Sequence, residues 1–311
     1  MSPALTKQSG DVAQPAVAGD VVLDVQQVTL RFGGLTSLDS VSLQMRRGSV
    51  LAVIGPNGAG KTSLFNCLTG AYTPQEGSVT FYPKPGESVA VLGKRPHKIA
   101  RLGIARTFQN IRLFPALTVL ENVQVGVETR QKSDALSSML RLPNARRDQK
   151  NSVAEGFRLL ELVGLRGKSN ELAAALPYGE QRRLEIARAL GTVPSLLLLD
   201  EPAAGTNPTE KAELSALIRR IADTGVSVLL IEHDMPLVMG LADEVVVLNF
   251  GKVIATGRPE QVQRNAAVIE AYLGAESEET AIDATDLPDV GSGRLPGTAK
   301  SGEPGESGES A

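Results

Sequence analysis

Cysteine is nearly missing from this chain of 311 residues: Cys67 is the only one, so no internal disulfide can form, which suits a reducing compartment. It sits just after a glycine-rich loop, on an expected helix, where buried packing is the expected role. No apolar run approaches the ~18 residues of a membrane-spanning helix, and the N-terminus has no apolar signal-peptide core. These absences lead us to expect a soluble, cytoplasmic chain. A strong charge is lacking too. The formal net charge is −3 and uneven: residues 276–311 hold nine acids against Arg294 and Lys300, while residues 1–275 carry a mild excess of +4. That excess is too small for a dedicated nucleic-acid binder. Histidines number two. His97, among Lys94, Arg95 and Lys98, reads as surface.

What is present points to a sizeable core, because 42% of the residues are hydrophobic, enough for one large or two modest domains. Residues 1–20 read as a loose extension and 276–311 as a disordered acidic tail, since neither can bury enough apolar surface to offset its ordering entropy. Strand-like segments fall at Val21–Val25, Val28–Phe32, Val41–Met45, Val50–Ile54, Ser78–Tyr82, Leu196–Asp200, Val226–Ile231, Glu244–Leu248 and Lys252–Thr256. The fully apolar runs at Leu196–Leu199 and Val226–Ile231 suit parallel strands covered on both faces. Between them Leu214, Leu217, Ile218 and Ile221 make one helical stripe, giving a βαβ unit and an α/β core. Val153, Phe157, Leu160 and Val163 mark a helix that Gly164 can end, and Leu184, Ile186, Ala187 and Leu190 mark another. The region of about 110–190 therefore reads as a helical subdomain inserted into the sheet-bearing core.

The most informative stretch is Gly55-Pro56-Asn57-Gly58-Ala59-Gly60-Lys61-Thr62, a complete G-x-x-x-x-G-K-[ST] phosphate-binding loop. The apolar run Val50–Ile54 precedes it and a helix beginning near Ser63 follows, which is the strand–loop–helix context that the motif needs. Glycines let the backbone wrap phosphates, and the helix N-terminus adds its positive end. Lys61 is expected on the β- and γ-phosphates and Thr62 on Mg²⁺. Downstream, Leu196-Leu197-Leu198-Leu199-Asp200-Glu201 is an apolar strand that delivers two carboxylates to a sheet edge. Asp200 is expected in the Mg²⁺ shell and Glu201 as general base or water-orienting group; the competing reading is an acidic pair that caps the next segment. His233, after the strand Val226–Ile231, is placed to reach a γ-phosphate oxygen, or else is structural.

These residues resemble the nucleotide-binding subunits of ABC transporters over about residues 21–275. Five motifs appear in that family's order: the P-loop at 55–62, a Q-loop at Gln109, a signature at Leu176-Pro177-Tyr178-Gly179-Glu180-Gln181, the acidic strand at 196–201, and a switch histidine at His233. The resemblance implies a RecA-like P-loop NTPase core with an antiparallel β subdomain and an inserted α-helical subdomain. It implies ATP and Mg²⁺, hydrolysis, and two cassettes closing head to tail, identical or different, so that Tyr178 and Gly179 of one face the phosphates of the other. Gln109 would sense Mg²⁺ and the γ-phosphate, and the helical subdomain would dock on one of two integral membrane permeases at the cytoplasmic face of the inner membrane. An external solute-binding protein would act indirectly. Phe32 stands where that family stacks a ring on adenine, although an aromatic there also suits plain core.

Two departures concern the signature, where Pro177 replaces the usual serine and Tyr178 a glycine. The usual aspartate after the acidic strand is also missing from Ala203-Ala204-Gly205-Thr206-Asn207-Pro208, and Asn207 is a candidate polar contact between subunits. The runs 31–35, 103–110, 178–188, 200–205, 249–257 and 268–274 are similar to branched-chain amino-acid importer ATPases of the LivG type, which implies import of Leu, Ile and Val. Importers of urea or short amides share much of this pattern. A soluble ABC protein of DNA repair or translation would show a long coiled coil or tandem cassettes, and neither is visible. A non-hydrolysing module is disfavoured by Glu201 and His233.

Overall fold

The protein, described here as a computed structural model, is defined over residues 21–129 and 143–272. The expected extension 1–20 and acidic tail 276–311 lie outside the described residues. Among the described residues, ten strands form two sheets. The first is antiparallel, in the order β2-β1-β4-β5, built from β1 (Val21–Phe32), β2 (Leu35–Arg46), β4 (Glu76–Phe81) and β5 (Val89–Ala90). The second runs β10-β9-β3-β8-β7-β6, from β3 (Val50–Ile54), β6 (Ile104–Arg106), β7 (Leu196–Asp200), β8 (Ser227–Ile231), β9 (Glu244–Asn249) and β10 (Lys252–Gly257). It is parallel except for the edge pair β9–β10.

Every residue of β3, β7 and β8 is buried, as unbroken aliphatic runs demand of strands covered on both sides. Along β3 the side chains alternate: Leu51 and Val53 pack with Leu64, Phe65 and Leu68 of α1 (Lys61–Leu68), whereas Ala52 and Ile54 pack with Val238 of α7 (Met235–Leu241) and Val262 of α8 (Pro259–Gln263). Leu197 and Leu199 of β7 meet Leu214, Leu217, Ile218 and Ile221 of α6 (Pro208–Asp223), the stripe expected from periodicity. Each fully buried aliphatic side chain contributes about 1.5–3 kcal/mol, so this layer sets the position of whatever its strand ends carry. Cys67 is fully buried on α1, and burial pushes its thiol pKa up to about 12. It is packing material, as expected.

The remaining helices are α2 (Pro96–Leu102), α3 (Val119–Glu128), α4 (Pro143–Leu162) and α5 (Tyr178–Gly191). The last three pack on one another through Val119, Val123, Leu159, Leu160, Leu184 and Ile186. Gly164, at φ 75°, follows α4, as the stop signal there requires. The two N-terminal strand runs prove to be one strand, β1. A bulge separates them: the register shifts between Val25 and Val28, and Gln27 sits at φ 47°. β5, β6 and α2 have too few residues to show periodicity and were not expected. His97 is exposed on α2.

Candidate functional site

β8 lies between β3 and β7, so at about 4.8 Å per strand the C-terminal ends of all three share one short edge. That edge carries Gly55 after β3, Asp200 and Glu201 at the end of β7, and Glu232 and His233 after β8. The fold thereby gathers residues as much as 178 positions apart without any help from the loops.

The phosphate loop is shaped by glycines with no substitute. Gly55, Gly58 and Gly60 have φ of 148°, 77° and 101°, a region that L side chains avoid. A Cβ on Gly55 would stand 2.0 Å from the Leu248 carbonyl oxygen, and one on Gly60 would stand 2.6 Å from that of Ser37. Pro56, Asn57 and Ala59 complete the loop, and Ala59 is buried. Lys61 folds back over it: Nζ donates to the carbonyls of Gly55 (2.7 Å) and Pro56 (2.8 Å). Burial pulls its pKa below the ordinary value, while the carboxylates of Glu201 and Asp200 oppose the shift. The ammonium therefore borders both acids. Thr62 is exposed at the start of α1, and Ser63 Oγ meets Ser37 Oγ at 2.7 Å.

Asp200 is nearly buried, and its Oδ2 accepts from Arg106 Nη2 at 2.8 Å. Arg106 also donates to Asn66 Oδ1 at 2.8 Å. Sequence reasoning missed this arginine, whose only signal was its place in the run before Gln109. Glu201 sits at φ 46°, a conformation that costs a non-glycine residue about 1–2 kcal/mol. Gln109 Nε2 donates to Glu201 Oε2 at 2.9 Å, so the Q-loop and the acidic strand do meet. His233 is exposed beside them on the β8 loop. The donor set Thr62, Gln109 and Asp200 is all oxygen with one carboxylate. That matches a hard cation such as Mg²⁺, which keeps substrate phosphates and waters as its other ligands. No cluster of three or more His, Cys, Asp or Glu that could hold a metal ion exists among the described residues.

Phe32, at the end of β1, is 45% exposed and meets Tyr72 edge-on with ring centroids 5.2 Å apart. It is not a core residue. The signature residues lie far along the chain at the head of α5, whose N-cap is Pro177 with no side-chain cap. Tyr178 and Gly179 are themselves helical, whereas the N–H groups of Glu180 and Gln181 donate back to the Pro177 carbonyl at 3.0 Å. Two N–H groups, not four, are thus left for an anion. The Glu180 side chain pairs with Lys168 (2.6 Å) and that of Gln181 donates to the Leu176 carbonyl (2.8 Å). Gly179 packs against the Glu210 side chain, whose Oε1 would stand 2.9 Å from an added Cβ and would have to swing aside. Tyr178 replaces glycine usefully, because its hydroxyl accepts from Arg182 Nη2 at 2.8 Å. Asn207 caps α6: it accepts from the Glu210 N–H and donates its own N–H to Glu210 Oε2, both at 2.9 Å. Its side chain therefore has a role inside this chain.

One face of α5 grips the Q-loop. The buried Arg182 donates to the carbonyls of Phe108 (2.7 Å) and Gln109, Glu185 accepts from the Arg112 N–H (3.2 Å), and Arg188 donates to the Arg112 carbonyl. Burial raises the pKa of Glu185, while these arginines and N–H donors pull it down. Beside this contact lies a cavity of about 680 Å³ lined by Ile99, Phe108, Arg112, Phe114, Glu185 and Arg188 among others. Its walls come from the end of α1, from α2 and β6, and from the α3–α5 pair, and no residue of the phosphate loop itself lines it.

Residues 38–204 match the model of the ABC transporter family, and residues 252–278 match that of the branched-chain amino acid ATP-binding cassette transporters. The chain is 46% identical over 254 residues to the high-affinity branched-chain amino acid transport ATP-binding protein BraF of Pseudomonas aeruginosa, covering 81% of this chain and 98% of that one. It is 44% identical, with the same coverage, to the corresponding protein LivG of Escherichia coli K12. A solved ATP-binding cassette of an ABC transporter in its ADP conformation superposes with a TM-score of 0.70 at 31% identity, covering 82% of this chain and 99% of that chain. A nucleotide-free cassette gives 0.69 at 30% identity, covering 81% and 98%. With a phosphate loop, paired carboxylates and an inserted helical region on this framework, the chain belongs to the ABC transporter family, as one of its ATP-binding, ATP-hydrolysing members.

Proposed function

We propose that this chain hydrolyses ATP to energise import of branched-chain amino acids through a membrane transporter. The hydrolytic reading is carried by one observation: the strained Glu201 carboxylate stands at the same sheet edge as Lys61, Asp200 and His233. The substrate reading is supported by the relatives' names and by the match at 252–278. We assign residues 21–275 to the cassette and about 110–190 to its helical subdomain.

The phosphate chain lies along the N–H groups of residues 55–63, with Phe32 under the base. Lys61 exchanges its two carbonyl partners for β- and γ-phosphate oxygens. Thr62, Asp200 and Gln109 are the residues that would hold Mg²⁺, which neutralises phosphate charge when bound. Glu201 is held by Gln109 in this arrangement and takes the proton of the attacking water once that bond is released. The oxygen of that water bonds to the γ-phosphorus and the bond to ADP breaks. His233 donates to a γ-phosphate oxygen. The N–H groups of Tyr178 and Gly179 from a second cassette, identical or different, stabilise the charge from the far side. The 680 Å³ cavity bordering the Q-loop is the docking place for one of two permease subunits, so the chain sits peripherally at the cytoplasmic face, and an external binding protein delivers substrate.

Glu201→Gln is expected to cut ATP turnover at least ~100-fold while ATP affinity stays within about twofold, measured by phosphate release and nucleotide binding on the assembled transporter. Full turnover by that variant removes Glu201 from its role. Uptake of labelled leucine in a deletion strain, compared with labelled urea and acetamide, tests the substrate class.

A further inference from the structure

Glu232 is fully buried, directly after the central strand β8, and carries no role in the mechanism above. Its two carboxylate oxygens point in different directions along the chain. Oε1 accepts the N–H of Ala203 at 2.8 Å, and Oε2 accepts the N–H of His233 at 3.2 Å. Ala203 lies two residues beyond Glu201, in the loop that leads to α6. We propose that Glu232 is a positioning residue of the hydrolytic site, a strut that fixes the loop following Glu201 against the loop that carries His233. This rests on the reading of Glu201 and His233 as hydrolytic residues.

Burying a carboxylate is costly unless its lone pairs are met. Here burial pushes the Glu232 pKa up, and N–H donors from Ala203, His233 and Asp234 pull it back. No lysine or arginine pairs with it among the described residues, so it is not half of a stabilising ion pair. The surroundings ask for a group that only accepts, at both ends. A glutamine of the same shape would turn an NH₂ toward one of two N–H donors. An aliphatic side chain would pack more cheaply but would leave both amides unmet. The acid therefore makes sense as a two-ended clamp and not as filling.

Two other contacts join the same pair of segments. The Glu201 N–H donates to the Ile231 carbonyl at 3.0 Å, and Lys211 of α6 pairs with Asp234. Glu232 is the buried contact between them. With these three ties in place, the strained φ of Glu201 and the exposed position of His233 are set relative to one another. Untying the middle one leaves only the two flanking ties and loosens the two loops relative to one another, while the phosphate loop, on β3, stays as it is.

The test uses Glu232→Gln in the assembled transporter, with Glu201→Gln alongside. Expected for Glu232→Gln is a kcat lowered on the order of 10–100-fold, the usual effect of losing a residue that supports the reacting ones. KM for ATP should stay within about twofold, and amide hydrogen exchange should speed up at 203–205 and 233–234 but not along α1. A kcat within twofold of the parent, or exchange that rises equally everywhere, overturns the proposal. Should the glutamine variant fail to fold, Glu232→Asp, which keeps the charge on a shorter arm, is expected to show the same selective exchange and a partial kcat loss. Parental kcat and exchange in that variant overturn the proposal. Exchange is read without turnover, so an active Glu201→Gln variant would sink the hydrolytic reading separately from the clamp.

Discussion

The two halves of the candidate site are held in place by different physics. The phosphate loop, the acidic strand end and the β8 loop hang from a parallel sheet whose strands are fully buried aliphatic runs, and the loop's shape is fixed by backbone contacts around Gly55 and Gly60. The signature helix α5 instead holds the Q-loop with charged side chains: Arg182, Glu185 and Arg188 reach the backbone of residues 108–112. Close-packed backbone has one arrangement. The contrast is one of means: backbone packing shapes the phosphate cradle, whereas buried charged side chains hold the Q-loop to the signature helix.

The sharpest way to break this comparison is Gly55→Ala. Its Cβ would overlap the Leu248 carbonyl oxygen at 2.0 Å, and no flexible group is there to yield. Nucleotide affinity is expected to fall at least ~100-fold and Tm by about 8 °C or more, by titration with a fluorescent ATP analogue and by calorimetry. A mild effect would mean that the cradle is not rigid.

Next in size is Arg182→Met. It removes donors to Phe108, Gln109 and Tyr178 and deprives the buried Glu185 of a counter-charge. Breaking one side of a buried pair costs about 3–5 kcal/mol. Adding Glu185→Gln should recover a good part of the loss in urea denaturation, because burial already disfavours that charge. Strict additivity of the two changes would contradict the coupled grip.

The smallest effect sharpens the sheet side. Burial raises the pKa of Glu244, at the start of β9, against the opposing charge of Arg46. A carboxyl whose folded pKa is raised gives up stability as pH climbs from its unfolded value, near 4.5, through the folded one. Glu244→Gln should therefore melt about 1 °C above the parent at pH 8, the gap closing below pH 4.5. A gap that widens on acidification would reverse the sign.

Much of this molecule is legible in its sequence. Glycines at positive φ, unbroken aliphatic strands and carboxylates at strand ends write themselves into a sequence because only those residue types serve there. What stayed hidden was long-range pairing between ordinary polar residues. Nothing local marks Arg106 as the partner of Asp200, or Glu232 as the acceptor for Ala203. The bulge at Gln27 made one strand read as two. α4 begins at Pro143, ten residues before Val153 opens its apolar stripe, since its polar first half offers no period to detect. Asn207 carries a role that its motif position did not suggest, because its side chain caps its own helix.

Gly251 stands at the tip of the β9–β10 hairpin, where its N–H donates to the Ala59 carbonyl (3.0 Å) and its carbonyl accepts the Asp39 N–H (2.8 Å), stitching the antiparallel sheet to the phosphate loop. Through those two bonds a change that pulled the hairpin tip away would disturb the antiparallel sheet and the backbone of the phosphate loop together.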